Sequence, residues 1–230
     1  MSFTKRRFAV ALAVVAVASL VTFLQVEANH EIEDQIGDRA VWSASADDLN
    51  TIGQTCKNPD AAGYSECFIE QMGGLASSDA VAFTQLLAAQ KSPRLGYLAG
   101  LRESGLVDLG YVVYPGSTDP GRGWVLLNGI PALVNLDDLS MLPKAEMEKD
   151  ARFSALKKNH PQMQLGVDND ERMPDKLPQV EQLADGGERF VIPYSLKETC
   201  SGCPALARAS FGFDFDGAGR FLGVKFLSIE

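Results

Sequence analysis

An apolar alternation with a period of two residues near the C-terminal end restricts the fold of this chain more than any other feature. It runs through three stretches, which carry Phe190, Ile192, Tyr194 and Leu196, then Ala207, Ala209, Phe211, Phe213 and Phe215, and then Leu222, Val224 and Phe226. Neighbouring side chains of a β-strand point to opposite faces, so this spacing predicts three strands with one buried face each. We expect Phe211, Phe213 and Phe215 to anchor the core.

Strand signals also occur between residues 107 and 135. Apolar residues alternate from Val107 to Val113, and two apolar stretches flank Asn128-Gly129, which is a strong hairpin signal. Residues 119–123, Asp-Pro-Gly-Arg-Gly, are typical of a turn. Because short connections favour antiparallel pairing, residues 107–230 are predicted to form a mostly antiparallel sheet of about six strands.

The preceding part of the chain carries a helical periodicity instead. Apolar residues recur at intervals of three and four in two stretches, which contain Tyr64, Cys67, Phe68 and Met72, and then Ala80, Phe83, Leu86 and Leu87. This spacing places them on one face of a helix, and Ser78-Asp79 is a suitable start for the second helix. A third short helix is expected over residues 94–104. Residues 47–106 are therefore predicted to be a helical subdomain, and the fold class is predicted to be α+β.

The segment between the two groups of predicted strands, residues 144–187, is polar. Residues 144–158 are rich in charge and predict a surface helix, with Glu148 and Arg152 spaced as an ion pair. Residues 161–187 contain three prolines, several acidic residues and no aromatic residue. A connection of that length without secondary structure is typical of a mobile loop, and such loops sometimes act as lids over a site.

The N-terminus has the layout of a secretory signal peptide. Three basic residues at positions 5–7 precede an apolar stretch over residues 8–24, and small or branched residues follow where cleavage requires them. The apolar stretch is also close to the shortest helix that spans a bilayer, so residues 1–28 are interpreted as a signal peptide or an N-terminal membrane anchor. Residues 29–46 would be a lead-in to the folded part. Both alternatives predict a periplasmic or secreted protein.

Four cysteines in an exported chain predict two disulfides. On one continuous helix, the Cα atoms of Cys56 and Cys67 would lie roughly 16 Å apart, whereas a disulfide needs less than about 7 Å. Pro59 breaks such a helix and lets the chain reverse, so we expect a Cys56–Cys67 bridge and a second bridge between Cys200 and Cys203. The Cys-Ser-Gly-Cys spacing of the second pair also leaves open a redox-active dithiol or a metal ligand pair.

Composition and motifs exclude several function classes. The formal charge is −9, and removal of residues 1–28 makes it more negative, so nucleic acid is not an expected partner. With only His30 and His160 beside the cysteines, no metal site is predicted. The chain has no dinucleotide or phosphate-binding fingerprint and no nucleophile motif, so no cofactor is expected and no catalytic residue is assigned.

These observations predict a disulfide-stabilised, exported α+β protein that acts as a soluble binding or envelope-associated module. Its partner would be an unidentified protein or envelope ligand, and it would contact the membrane only if the N-terminal apolar stretch is uncleaved. The alternative is a thiol-disulfide redox protein that uses Cys200 and Cys203. An envelope hydrolase that uses carboxylates such as Asp137 and Asp138 is a weaker alternative, because adjacent residues on a strand point apart.

Overall fold

The computed structural model describes residues 35–57, 61–90, 95–115, 121–167, 176–199 and 203–230, without the side chains of residues 61 and 62. Residues from Ile36 to Glu230 form one compact unit. No helix within the described ranges is both long enough and apolar enough to cross a bilayer.

Three helices open the compact unit, after a short 3-10 turn at Asp38–Ala40. They are α1 (Ala46–Thr55), α2 (Ala61–Met72) and α3 (Ser78–Ala88). The side chain of Ser45 accepts from the Asp48 N–H while Asp48 accepts from the Ser45 N–H, which is a capping box at the start of α1. Ser77 caps α3 in the same way by accepting from the Ala80 N–H.

Within the described ranges the strands form two antiparallel sheets, where the sequence predicted one mostly antiparallel sheet of about six strands. The first sheet has the order β1 (Tyr97–Arg102), β2 (Asp108–Tyr114), β3 (Gly121–Leu127) and β4 (Leu133–Asn135). In the second sheet, β7 (Glu188–Lys197) pairs with β8 (Ala207–Phe215), and β8 pairs with β9 (Phe221–Ile229). Two short strands, β5 (Gln164–Gly166) and β6 (Gln179–Gln182), pair with opposite ends of β7.

The helix predicted over residues 94–104 is wrong, because this segment contains strand β1. Tyr97 and Leu98 pair with Val113 and Val112 of β2, with a bulge before Gly100. A short apolar stretch cannot be assigned by periodicity alone, and here pairing with a neighbouring strand decided the conformation. The helical region therefore ends at Ala88.

The apolar side chains between the two sheets form the main core, which we call the intersheet core. The first sheet contributes Leu109, Trp124, Leu126 and Val134, and the second contributes Phe190, Ile192, Tyr194, Leu196, Phe211, Phe213 and Phe215. The seven residues from the second sheet are fully buried. Tyr194 also donates its hydroxyl to the Leu136 carbonyl at 2.5 Å, which satisfies the one polar atom of that ring.

The opposite face of the first sheet is covered by α3. Phe83 and Leu87 of this helix pack against Val112, Val125 and Leu127. A separate helical core lies beside β1 and contains Trp42, Ile52, Cys56, Phe68, Met72, Ala80 and Tyr97. The predicted Cys56–Cys67 disulfide lies there with a Cα–Cα distance of 5.8 Å and joins α2 to the end of α1.

The predicted inward face of the last strand is wrong at one position. Val224 and Phe226 pack against the intersheet core, but Leu222 is 61% exposed. An irregularity between Asp214 and Phe215 shifts the register, so Phe221 takes the inward position.

The polar segments also differ from the predictions. Residues 144–158 form two helices, α4 (Lys144–Met147) and α5 (Ala151–Asn159), rather than one. Asp150 separates them by capping α5, since its side chain accepts from the Arg152 N–H at 2.7 Å. The predicted loop at 161–187 contains strands β5 and β6, while its residues 168–175 lie outside the described part. Gly121, Arg122 and Gly123, expected in a turn, belong to β3.

Candidate functional site

The second cysteine pair can be described only in part. Cys203 is half-buried and disulfide-bonded. Cys200 lies outside the described residues, so its pairing with Cys203 stays a prediction. The described chain after Cys203 continues into strand β8 at Ala207, whereas a thioredoxin-type dithiol is followed by a helix.

The outer face of the second sheet carries a paired charge cluster. Arg189 binds Asp214 through two hydrogen bonds of 2.6 and 2.9 Å, and the Lys225 ammonium lies 2.8 Å from the same carboxylate. Burial by itself would raise the pKa of Asp214, but hydrogen bonds from Arg189 and Lys225 and their positive charges lower it below its usual value. A second carboxylate, Glu181, has its Oε2 3.8 Å from the Arg189 guanidinium, so two cations face two carboxylates and we interpret the cluster as structural.

Glu188 is a buried carboxylate at the start of β7 and is 1% exposed. Its Oε1 accepts hydrogen bonds from the Leu106 N–H and, at 3.2 Å, from the Val107 N–H. A Cβ atom on Gly105 would lie 2.9 Å from Oε2, so this turn requires glycine there, with a φ of +144°. Glu188 therefore connects the β1–β2 turn to the second sheet.

Asp137 and Asp138 do not form a carboxylate pair. Asp138 accepts hydrogen bonds from the N–H and hydroxyl of Ser140 at 3.0 and 2.7 Å, as a turn residue does. The Asp137 carboxylate instead lies against Gly123, where a Cβ atom would clash with its Oδ2. The two acids therefore have different surroundings, and we assign no acid-base pair to them.

His160 is the C-cap residue of α5. Its Nδ1 lies 2.9 Å from Glu198 Oε1, and both side chains are partly exposed. The contact joins the end of α5 to the chain that follows β7, so we interpret it as a connection between surface elements rather than as a catalytic base.

Among the residues that the structure describes, a groove at one side of the intersheet core is the best candidate for a ligand site. It encloses about 560 Å³, within the roughly 300–1,000 Å³ of small-ligand sites. We call it the α4–α5 groove, and its lining residues come from α4, α5 and the chain around β5: Lys144, Met147, Glu148, Phe153, Lys157, Met163, Gln164 and Leu165.

The floor of the groove is apolar and continuous with the core. Met147 and Met163 are buried members of the intersheet core, and Phe153 and Leu165 pack against it from the groove side. Methionine side chains are flexible and polarisable, and they adapt to ligands of irregular shape. These residues therefore offer apolar contacts at the base of the groove.

The rim of the groove is charged. Lys144 and Glu148 are exposed on one wall, and Lys157 lies on the other. Lys157 donates to the Met163 carbonyl at 2.7 Å, which ties α5 to the segment before β5 and holds the groove open. The arrangement is an apolar floor with two ammonium groups and one carboxylate above it.

The sequence did not predict this groove, because its lining comes from two helices and a three-residue strand inside the region expected to be a helix and a loop. One sequence signal was present. Residues 144–158 contain five basic and three acidic residues, which is a local positive surplus in a chain with a formal charge of −9. Charge reversal of this kind indicates a surface suited to an acidic partner.

No cluster of three or more potential metal ligands occurs within the described ranges. Comparison of the whole chain with models of protein families, with curated proteins and with solved structures finds no match.

Proposed function

We propose that this protein is an exported binding module and that the α4–α5 groove is its ligand site. The observation that supports the proposal is the groove itself, which has a volume of about 560 Å³, core side chains at its base and charged residues at its rim. Its walls are fixed by the capped start of α5, the Lys157 contact and the pairing of β5 with β7, so the site is formed before a ligand arrives.

The test is a binding measurement with the neutral fluorescent probe N-phenyl-1-naphthylamine and a variant that fills the groove. Gln164 is exposed, lines the groove and is the first residue of β5, so Gln164→Trp should lower the affinity for the probe more than tenfold. The matched control is Gln179→Trp, at the exposed first residue of β6, which also pairs with β7 but lies outside the groove. Equal affinities for both variants and the unmodified protein would contradict the proposal.

Thiol-disulfide exchange is the second candidate function. It is favoured by the close spacing of Cys200 and Cys203 and by the half-buried position of Cys203. After mild reduction, an exchange-active pair should alkylate much faster at neutral pH than an ordinary thiol, because a functional thiolate has a lowered pKa. An ordinary alkylation rate would mean that the Cys200–Cys203 pair is a structural disulfide.

Export is part of the proposal and rests on residues 1–28. Expression of the full chain in a Gram-negative host followed by fractionation and N-terminal sequencing tests it. A mature chain that begins near residue 29 supports a signal peptide, an intact chain in the membrane fraction supports an anchor, and an intact chain in the cytosol contradicts export.

A further inference from the structure

We infer that the ligand of the α4–α5 groove is a free single-chain amphiphile with an anionic head group, an inference that rests on the proposed function. The first step is the position of the positive charge. Lys144 and Lys157 stand on the two walls above the apolar floor, and Glu148 is the one acidic residue among the lining residues. An anionic head group can contact both ammonium groups while its alkyl chain lies on the floor.

The second step is the contrast with the rest of the molecule. The chain is acidic, with a formal charge of −9, and the surrounding helices carry a surplus of basic residues at 144–158. Most of the surface therefore repels an anion, and this region attracts it. A cationic amphiphile would bind the floor equally well, but it would meet two ammonium groups at the rim.

The third step is the shape of the site. Met147, Phe153, Met163 and Leu165 lie in one groove lined by α4, α5 and the chain around β5, and a concave site of this kind suits the chain of one molecule. A bilayer needs a flat or protruding apolar surface instead. We therefore assign the groove to a monomeric amphiphile and not to a membrane surface.

The experiment measures competition with N-phenyl-1-naphthylamine by three ten-carbon probes below their micelle concentrations: decanoate, 1-decanol and decyltrimethylammonium. Decanoate should compete at least fivefold better than the cation, with the neutral alcohol between them. If the fluorescent probe does not occupy the groove at all, the proposed function fails. If it does and the three probes compete equally, the groove is a binding site and only the anionic assignment fails.

Two variants with the same change in charge test whether the anionic head group binds in the groove. Lys144→Glu should weaken decanoate binding by about threefold to fivefold, the range expected for one exposed ion pair, and should leave 1-decanol binding unchanged. Lys149→Glu changes the total charge equally at an exposed residue of the same segment that does not line the groove. If both variants weaken decanoate binding equally, the head group does not contact Lys144 in the groove. If the protein floats with phosphatidylglycerol vesicles and this flotation depends on Lys144, the ligand is a bilayer surface and not a monomeric amphiphile.

Discussion

The two sheets of this protein have the same antiparallel pairing but different surroundings. The first sheet lies between the second sheet and α3, so residues 124–127 of β3 are all buried whichever face they point to. The second sheet has one face in the intersheet core and one outer face with Arg189, Asp214 and Lys225. Coverage therefore decides how a strand looks in sequence: a sheet covered on both sides produces continuous apolar stretches, and a sheet covered on one side produces alternation.

The largest loss of stability should come from a substitution in the intersheet core. Phe213 is fully buried between the sheets, and Phe213→Ala should lower the free energy of unfolding by about 3–5 kcal/mol, because it removes apolar contacts and leaves a cavity. Leu222→Ala, at a residue of the same sheet that is 61% exposed, should change it by less than about 0.5 kcal/mol. Urea unfolding measures both, and similar losses would show that Leu222 is covered in solution.

The next largest loss of stability should come from Glu188, which connects the two sheets. Glu188→Ala should lower the free energy of unfolding by about 2–3 kcal/mol, because the buried N–H group of Val107 and the partly buried N–H group of Leu106 lose their acceptor. Glu188→Gln keeps an acceptor oxygen and should retain most of the stability. Urea unfolding of the two variants makes the comparison, and equal losses would mean that the charge of Glu188, rather than its acceptor oxygen, holds the turn.

Two glycines sharpen the contrast between a face covered by protein and a face open to water. A Cβ atom on Gly110 would lie 2.7–2.9 Å from side-chain atoms of Val125, Leu127 and Leu98, so Gly110→Ala should cost about 2 kcal/mol. On Gly212 it would lie 2.7 Å from Cδ and 2.8 Å from Nε of Arg189, so Gly212→Ala should lower the free energy of unfolding by about 1 kcal/mol, because the Arg189 side chain must shift and weaken its hydrogen bonds to Asp214. Thermal unfolding compares the two, and the opposite order would contradict this account of the two faces.

The last predicted change in stability depends on pH and belongs to the outer face of the second sheet. Because the pKa of Asp214 is lowered in the folded protein, its ion pairs stabilise the fold above the unfolded value of about 3.9 and are lost as the pH falls through the folded value. Asp214→Asn should cost about 1–2 kcal/mol at pH 7 and less at pH 3. A difference between variant and unmodified protein that stays constant from pH 7 to pH 3 would show that the charge of Asp214 contributes nothing.

Much of the second sheet could be predicted from the sequence because its local pattern and its environment agree. Phe190 to Leu196 and Ala207 to Phe215 alternate, and each inward residue meets the other sheet while each outward residue meets water or another charge. Strand β1 could not be predicted in this way. Its residues are apolar on both faces, and pairing with the next strand, β2, selected the strand over a helix.

The candidate site was even harder to predict from the local sequence pattern. Met147, Phe153, Met163 and Leu165 carry no shared spacing, and the groove exists only because α4 ends early and β5 pairs with the end of β7. The surplus of basic residues at 144–158 was visible in the sequence, but the apolar floor beneath it was not.

The sequence by itself determined the α+β class, the helices around Phe68 and Phe83, the strands β7, β8 and β9 and the Cys56–Cys67 bridge, because each depends on residues close to one another in the chain. Only the tertiary structure decided that the strands divide into two sheets, that β1 is a strand, and that two short helices and β5 enclose a groove. The physical reason is that burial and long-range pairing are properties of the assembled chain, and a local pattern records them only when one face of an element meets water.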